Sequence, residues 1–219
     1  MDLHSELVND PRFKDAFKEV QVFGIAGSNG SGKDVLLDMF AESGYFTFNT
    51  GDNLRQMALA SMGTTQRGGN QSPMGRTANA QRAAYPGGMV SLALLDFWAR
   101  ILHMPQDLRP KGLAIGSIRA VGEAQTLKDF GGKLIIVDAD PHVRYDRVVT
   151  RARYYEGQIT FEQFMHEDEA EMGRGETDPT KFGIAQVMDM ADIRLDNSHD
   201  SVNDFMAYAR KELGITTVE

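Results

Sequence analysis

Short runs of apolar residues recur along the chain, each followed by a longer stretch in which apolar positions return every three or four residues. The short runs read as buried strands and the longer stretches as amphipathic helices. Strands are expected at Gln21–Ala26, 45–49, 112–117, 134–137 and 192–195. Leu134-Ile135-Ile136-Val137 is apolar at every position and reads as a central parallel strand covered on both faces. Helices are expected over 11–18, Lys33–Glu42, 52–60, 77–84, 89–103, 123–130, 141 to about 153, 160–172 and Val202–Leu213, with one more ahead of the last strand. Asn9 or Asp10 caps the first helix, with Pro11 in its first turn. Thr160 and Gln163 have capping-box spacing. The 89–103 segment is apolar enough to lie against the sheet. Residues 63–75 are rich in Gly, Thr, Gln and Asn, bury little and read as a loop. Strands alternating with helices predict an α/β protein: three layers, with about five parallel strands and helices on both faces. At 219 residues it should be a single domain spanning 1–219.

One junction carries chemistry. The first strand empties into Gly27-Ser28-Asn29-Gly30-Ser31-Gly32-Lys33, and a helix follows through Asp34 and Val35. Strand, Gly-x-x-x-x-Gly-Lys and helix in that order form a P-loop. Glycines let the backbone wrap closely around an anion, N–H groups turn inward, and the helix adds the positive end of its dipole. Lys33 is placed to span the β- and γ-phosphates. The hydroxyl residue that usually follows the lysine is replaced by Asp34. Two roles stay open for Asp34: holding Mg²⁺ directly or through water, or complementing the helix dipole.

The formal net charge of −8 argues against a general nucleic-acid binder. With no cysteine there is no disulfide, zinc-thiolate site or thiol nucleophile, which fits a cytoplasmic protein. Residues 1–20 carry Asp2, Glu6, Asp10 and Asp15 without a central apolar run, unlike a signal peptide. The apolar 89–102 segment is interrupted by Asp96 and Arg100, so no membrane span is expected. Monomer and homo-oligomer both remain open.

Arginines gather where strands end. Thr50-Gly51-Asp52-x-x-Arg55 follows the second strand, Ser117-Ile118-Arg119 the third, and Arg144, Arg147, Arg151 and Arg153 the fourth. In a parallel sheet these carboxyl ends share one edge, where ligands bind. Phosphoryl transfer needs cations around both reacting phosphates.

On these residues the chain resembles the P-loop nucleoside-monophosphate kinase group, in particular adenylate kinases and dephospho-coenzyme A kinases. The Thr-Gly-Asp-x-x-Arg element resembles the acceptor segment of the former. Val137-Asp138-Ala139 followed by Arg144, Arg147 and Arg151, and Phe40-Ala41-Glu42-Ser43-Gly44, resemble segments of the latter. Residues 191–198 resemble the last strand and adenine-side loop of both. The resemblance implies an ATP- and Mg²⁺-dependent kinase with nucleotide substrates. Gly27, Ser28, Asn29, Gly30, Ser31, Gly32, Lys33, Asp34, Val35, Arg147 and Asn197 would hold ATP. Lys33, Arg119, Arg147 and Arg151 would be catalytic. Asp52, Arg55, Arg82 and Arg119 would bind the acceptor, within a region of about 50–110. Asp34 and Asp52 would hold the metal, and a small helical lid would span about 154–178.

Plainer roles stand beside these. Asp138 and Asp140 read equally as helix-capping acids before Pro141. His103, His142, His166 and His199 show no ligand spacing and are expected on the surface. Glu167, Asp168, Glu169 and Glu171 are expected to form a solvated helix face. Met57, Met62, Met74 and Met89 are expected in the core or in adaptable packing. The third strand lacks the terminal Asp that often orders Mg²⁺ through water, having Gly116-Ser117 there. That absence, with the hydroxyl missing after Lys33, favours one alternative, a nucleotide-binding sensor without turnover; the other is a dephospho-coenzyme A kinase-like enzyme, whose ribose-hydroxyl acceptor would need a base, with Asp52 as the candidate.

Overall fold

The computed structural model describes residues 10–65, 70–84, 87–151, 158–199 and 201–216. Arg153, residues 154–157 of the expected lid and residues 66–69 of the expected loop lie outside them. Five strands form one parallel sheet in the order β2-β3-β1-β4-β5. They are β1 (Gln21–Ala26), β2 (Phe46–Asn49), β3 (Gly112–Ile118), β4 (Lys133–Asp138) and β5 (Ile193–Asp196). The helices are α1 (Pro11–Phe17), α2 (Lys33–Glu42), α3 (Thr50–Met62), α4 (Pro73–Ala84), α5 (Gly88–Ile101), α6 (Val121–Asp129), α7 (Pro141–Arg151), α8 (Phe161–Met172), α9 (Ile184–Asp189) and α10 (Val202–Leu213). This is the expected three-layer P-loop fold, with the glycine loop leaving the central strand.

Alternation along the strands builds two cores, because successive side chains point to opposite faces. Val22, Ala26, Leu113, Ile115, Leu134 and Ile136 join α1, α5 and α6 on one face. Phe23, Ile25, Ala114, Ile135 and Val137 join α2 and α10 on the other. The apolar 89–103 stretch does pack on the sheet, burying Met89, Val90, Ala93, Leu94, Phe97 and Ile101 of α5. A third cluster, Leu54, Ala58, Met74, Ala78, Met89 and Phe182, ties α3, α4 and α5 together beside the sheet edge. Met74 and Met89 are thus core residues, whereas Met62 is exposed. No described helix is long and apolar enough to cross a membrane.

Several helix ends differ from expectation for local reasons. Asn49 accepts hydrogen bonds from Gly51 N (3.0 Å) and Asp52 N (3.2 Å), so α3 begins at Thr50. Ser72 Oγ accepts from Gly75 N at 3.0 Å, so α4 begins at Pro73 and takes the end of the expected loop. Asp10 is the cap of α1, and Thr160 with Gln163 completes the capping box of α8. Where β3 pairs with β1, the register shifts so that Ala26 opposes Ile118. Ser117 sits at that shift with φ 67°, a left-handed conformation uncommon for a residue with a Cβ. The strain lies at the sheet edge that holds the glycine loop.

Candidate functional site

The loop between β1 and α2 is held by three neighbours. A Cβ on Gly30 (φ 81°) would stand 2.4 Å from Arg144 O, and one on Gly32 (φ 97°) would stand 2.1 Å from Asn197 Nδ2. Only glycine satisfies both the backbone angle and the close approach at these positions. Asn197 Nδ2 donates to Ser31 O at 2.8 Å, and Asn197 N donates to Asp138 O at 2.7 Å. The loop is thereby pinned to the end of β4. Arg151 Nη2 donates to Asn29 Oδ1 at 2.7 Å.

Inside the loop Lys33 is 7% exposed, and its Nζ donates to Ser28 O at 3.0 Å. Ser28 Oγ, Ser31 Oγ and Arg147 Nη1 are buried without a hydrogen-bond partner among the described residues. Buried polar atoms are nearly always satisfied, so a group of orphans in one place needs a reason. Arg147 Nη2 donates to Asn197 O at 3.0 Å, and burial holds this guanidinium below its ordinary pKa. A cavity of about 320 Å³ opens here, lined by Gly30, Gly32, Lys33, Asp34, Val35, Arg147, Arg151 and Asn197, and closed by His199, Ser201, Val202 and Phe205. His199 was expected on the surface. It is half-buried on this wall, its ring 6.1 Å from that of Phe205 and 4.9 Å from that of Tyr208.

On α2 and α3, acids gather beside the loop. Partial burial raises the Asp38 carboxyl above its ordinary value, and the negative charges of Asp34, Glu42 and Asp52 add to the effect. Among the described residues no group of three or more acidic, histidine or cysteine side chains is arranged to hold a metal ion. Asp34 nevertheless lines the cavity.

The arginines expected on the acceptor side meet acids of the same chain. Each is paired with a carboxylate. Arg55 pairs with Asp52 on α3, half in solvent. Arg82 reaches Glu123 through Nε (3.0 Å) and Nη2 (3.2 Å), and both side chains are almost fully buried. Arg119 pairs with Glu171. Glu123 also accepts from Arg119 N at 3.2 Å and Met89 N at 3.4 Å, so one carboxylate joins α4, α5 and the end of β3. The Arg82 and Arg119 guanidiniums lie 4.9 Å and 5.7 Å from the centre of the Phe182 ring.

Helix α8 corrects the expected solvated acidic face. Asp168 is 7% exposed and Glu171 is 5% exposed. Asp168 grips Arg144 with two hydrogen bonds, 2.8 Å and 2.9 Å, while Arg144 also donates to Asn29 O at 3.4 Å. Phe164, Asp168 and Glu171 follow an i, i+4, i+7 spacing and so share one helix face. The buried Phe164 was the available signal that these two acids point inward. Glu169, by contrast, is exposed beside Arg174, and His103, His142 and His166 are exposed as expected. Glu123 had a weaker signal, its i+4 spacing from Arg119. Phe182 had none.

No protein-family model matches the chain. A UPF0200 protein of Pyrobaculum aerophilum is 26% identical over 203 residues, covering 91% of this chain and 98% of that protein. A UPF0200 protein of Hyperthermus butylicus is 26% identical over 196 residues, covering 88% of this chain and 93% of its own. Among solved structures, TT1252 from Thermus thermophilus superposes with a TM-score of 0.50 at 16% identity, covering 90% of this chain and 97% of its own. That likeness concerns the fold.

Proposed function

We propose that this chain is an ATP-dependent phosphotransferase whose acceptor is a nucleotide, with (deoxy)nucleoside monophosphates as the leading class. One observation carries the reading. The buried Lys33 and the half-partnered Arg147 line one cavity beside a glycine loop whose Ser28 and Ser31 hydroxyls are buried without a partner among the described residues. Hydroxyls, loop N–H groups and cations form the donor set that a triphosphate requires. The His199, Val202 and Phe205 wall gives a base an apolar and aromatic surface. Asp34, which lines the cavity, is the residue that would hold Mg²⁺, and the ion would supply charge neutralisation for phosphoryl transfer.

The chain's own residues then divide the work. Lys33 leaves Ser28 O for the phosphates, Arg147 and Arg151 close over them from α7, and Asn197 keeps the loop in place. Arg119 and Arg82 face the acceptor from β3 and α4, with Arg55 and Asp52 at the rim. Transfer between two phosphates asks for position and charge stabilisation, and no general base is needed. A lid over 154–178, with α8 as its described helix, excludes water. Gly116 and Ser117 at the end of β3 favour a second reading, a nucleotide-binding sensor without turnover, because no acid stands there to order the metal.

The test is ADP production from ATP and Mg²⁺ across NMPs, dNMPs and dephospho-coenzyme A. Turnover is expected with a narrow set of monophosphates and should fall by at least about a hundredfold in Lys33→Ala, the scale of losing one transition-state contact. ATP binding without acceptor-dependent ADP would sink the kinase reading and leave the sensor.

A further inference from the structure

Glycines aside, Ser117 alone has a positive φ among the described residues, at 67°. The cause is local. Ile25 pairs with Gly116 and Ala26 with Ile118, so Ser117 is the extra residue of a bulge where β3 meets β1. Thr50 Oγ1 donates to Ser117 O at 2.9 Å and fixes the turned peptide. A serine in this conformation costs free energy that a glycine would not, and such strain clusters at functional sites. The residue is 6% exposed, and its hydroxyl makes no hydrogen bond with any described residue. It is turned toward Gly51 in the first turn of α3. A Cβ on Gly51 would stand 3.4 Å from Ser117 Oγ, 3.7 Å from Arg55 Nη1 and 3.3 Å from Asn49 Oδ1. Gly51 is helical without a positive φ, so its missing side chain provides space, at a cost in helix stability. Arg55 gives Nη2 to Asp52 and keeps Nη1 toward that space. A hydroxyl and a guanidinium N–H around an opening at the N-terminal turn of a helix suit an anionic oxygen.

We propose that Ser117 is a specificity-determining contact for the acceptor, its hydroxyl donating to one oxygen of the acceptor's phosphate while Arg55 Nη1 donates to another. This deepens the kinase reading and rests on its placement of the acceptor beside the ends of β2 and β3. A phosphate monoester offers three strong acceptor oxygens, enough for both donors. Asn49 Oδ1 already accepts from two backbone N–H groups of the same turn, so it sets the start of α3 and leaves the ligand to Ser117 and Arg55. The bulge aims the hydroxyl, and Gly51 leaves the room that the phosphate needs. Serine is kept at a left-handed position, where glycine would be the relaxed choice, because the hydroxyl is what the position contributes.

Hydrogen exchange of the full chain, titrated with inorganic phosphate in the absence of nucleotide, tests this peptide by peptide. Phosphate should slow exchange across residues 49–56 in the wild type, and separately across the glycine loop at 27–35. Ser117→Ala and Ser117→Gly are each expected to raise the dissociation constant read at 49–56 by about tenfold, the scale of one hydrogen bond to a charged group. The response at 27–35 should stay as in the wild type. Gly51→Ala fills the opening and should weaken the response at 49–56 as well. Ser117→Gly also removes the left-handed strain, so it should melt no lower than the wild type. No phosphate response at 49–56 in the wild type, or an unchanged constant there in both Ser117 variants, overturns the proposal. So does a lower Tm in Ser117→Gly, which would assign the hydroxyl to the fold. None of these readouts involves phosphoryl transfer, so the kinase reading stands or falls separately on the ADP panel.

Discussion

Residue by residue, the acceptor-side arginines differ in what holds them. Arg55 is paired at the surface, where an ion pair contributes little. Arg82 is paired inside, with Glu123 on a helix of the central core, and that carboxylate also takes two backbone N–H groups. Removing one member of such a pair leaves a buried charge uncompensated. Glu123→Gln is therefore expected to lower unfolding free energy by about 3–5 kcal/mol, read from urea denaturation curves. A loss below about 1 kcal/mol would mean that Arg82 finds another partner. Arg119 is held by an acid from α8 rather than from the central core.

At the scale of elements, one side chain fastens β5 to its neighbours. Asp192 accepts from Leu134 N at 2.7 Å and from Lys128 Nζ at 2.8 Å, tying the start of β4 and the end of α6 to the strand at the sheet edge. Desolvation acts to raise this carboxyl, but the Lys128 and Leu134 hydrogen bonds prevail and hold it below its ordinary value of 3.8. The depressed value makes Asp192 stabilising above pH 3.8, and the contribution disappears as pH falls through the folded-state value. Since Asp192 is 38% exposed, solvent screening limits this to about 1 kcal/mol. Asp192→Asn should thus be less stable than wild type at neutral pH, and the gap should close in strong acid. A gap independent of pH would assign the effect to shape instead of charge.

For the whole molecule, nucleotide binding should appear as stability. A ligand at a hundred times its dissociation constant stabilises by about 2.7 kcal/mol, which for a domain of this size is a Tm rise of about 5–10 °C. ATP is expected to produce such a shift in the wild type and none in Gly30→Ala, where the added Cβ meets Arg144 O at 2.4 Å. An equal shift in both would move nucleotide binding away from the glycine loop.

Strand positions, the P-loop, the α/β class and the helix caps at Asp10 and Thr160 were legible in the sequence because each depends on neighbours along the chain. Apolar periodicity reports which face is buried, and a cap or a glycine acts within one turn. Strand order and the pairing of charges were not legible. Arg119 and Glu171 stand 52 residues apart, Arg82 and Glu123 stand 41 apart, and Arg144 and Asp168 stand 24 apart. Arginines at strand ends announce a site for anions, and the sequence alone could say that much. Whether each cation meets a ligand or a carboxylate of the same chain was decided by tertiary packing. Long-range charge pairing depends on which helices dock side by side, and no local pattern encodes that.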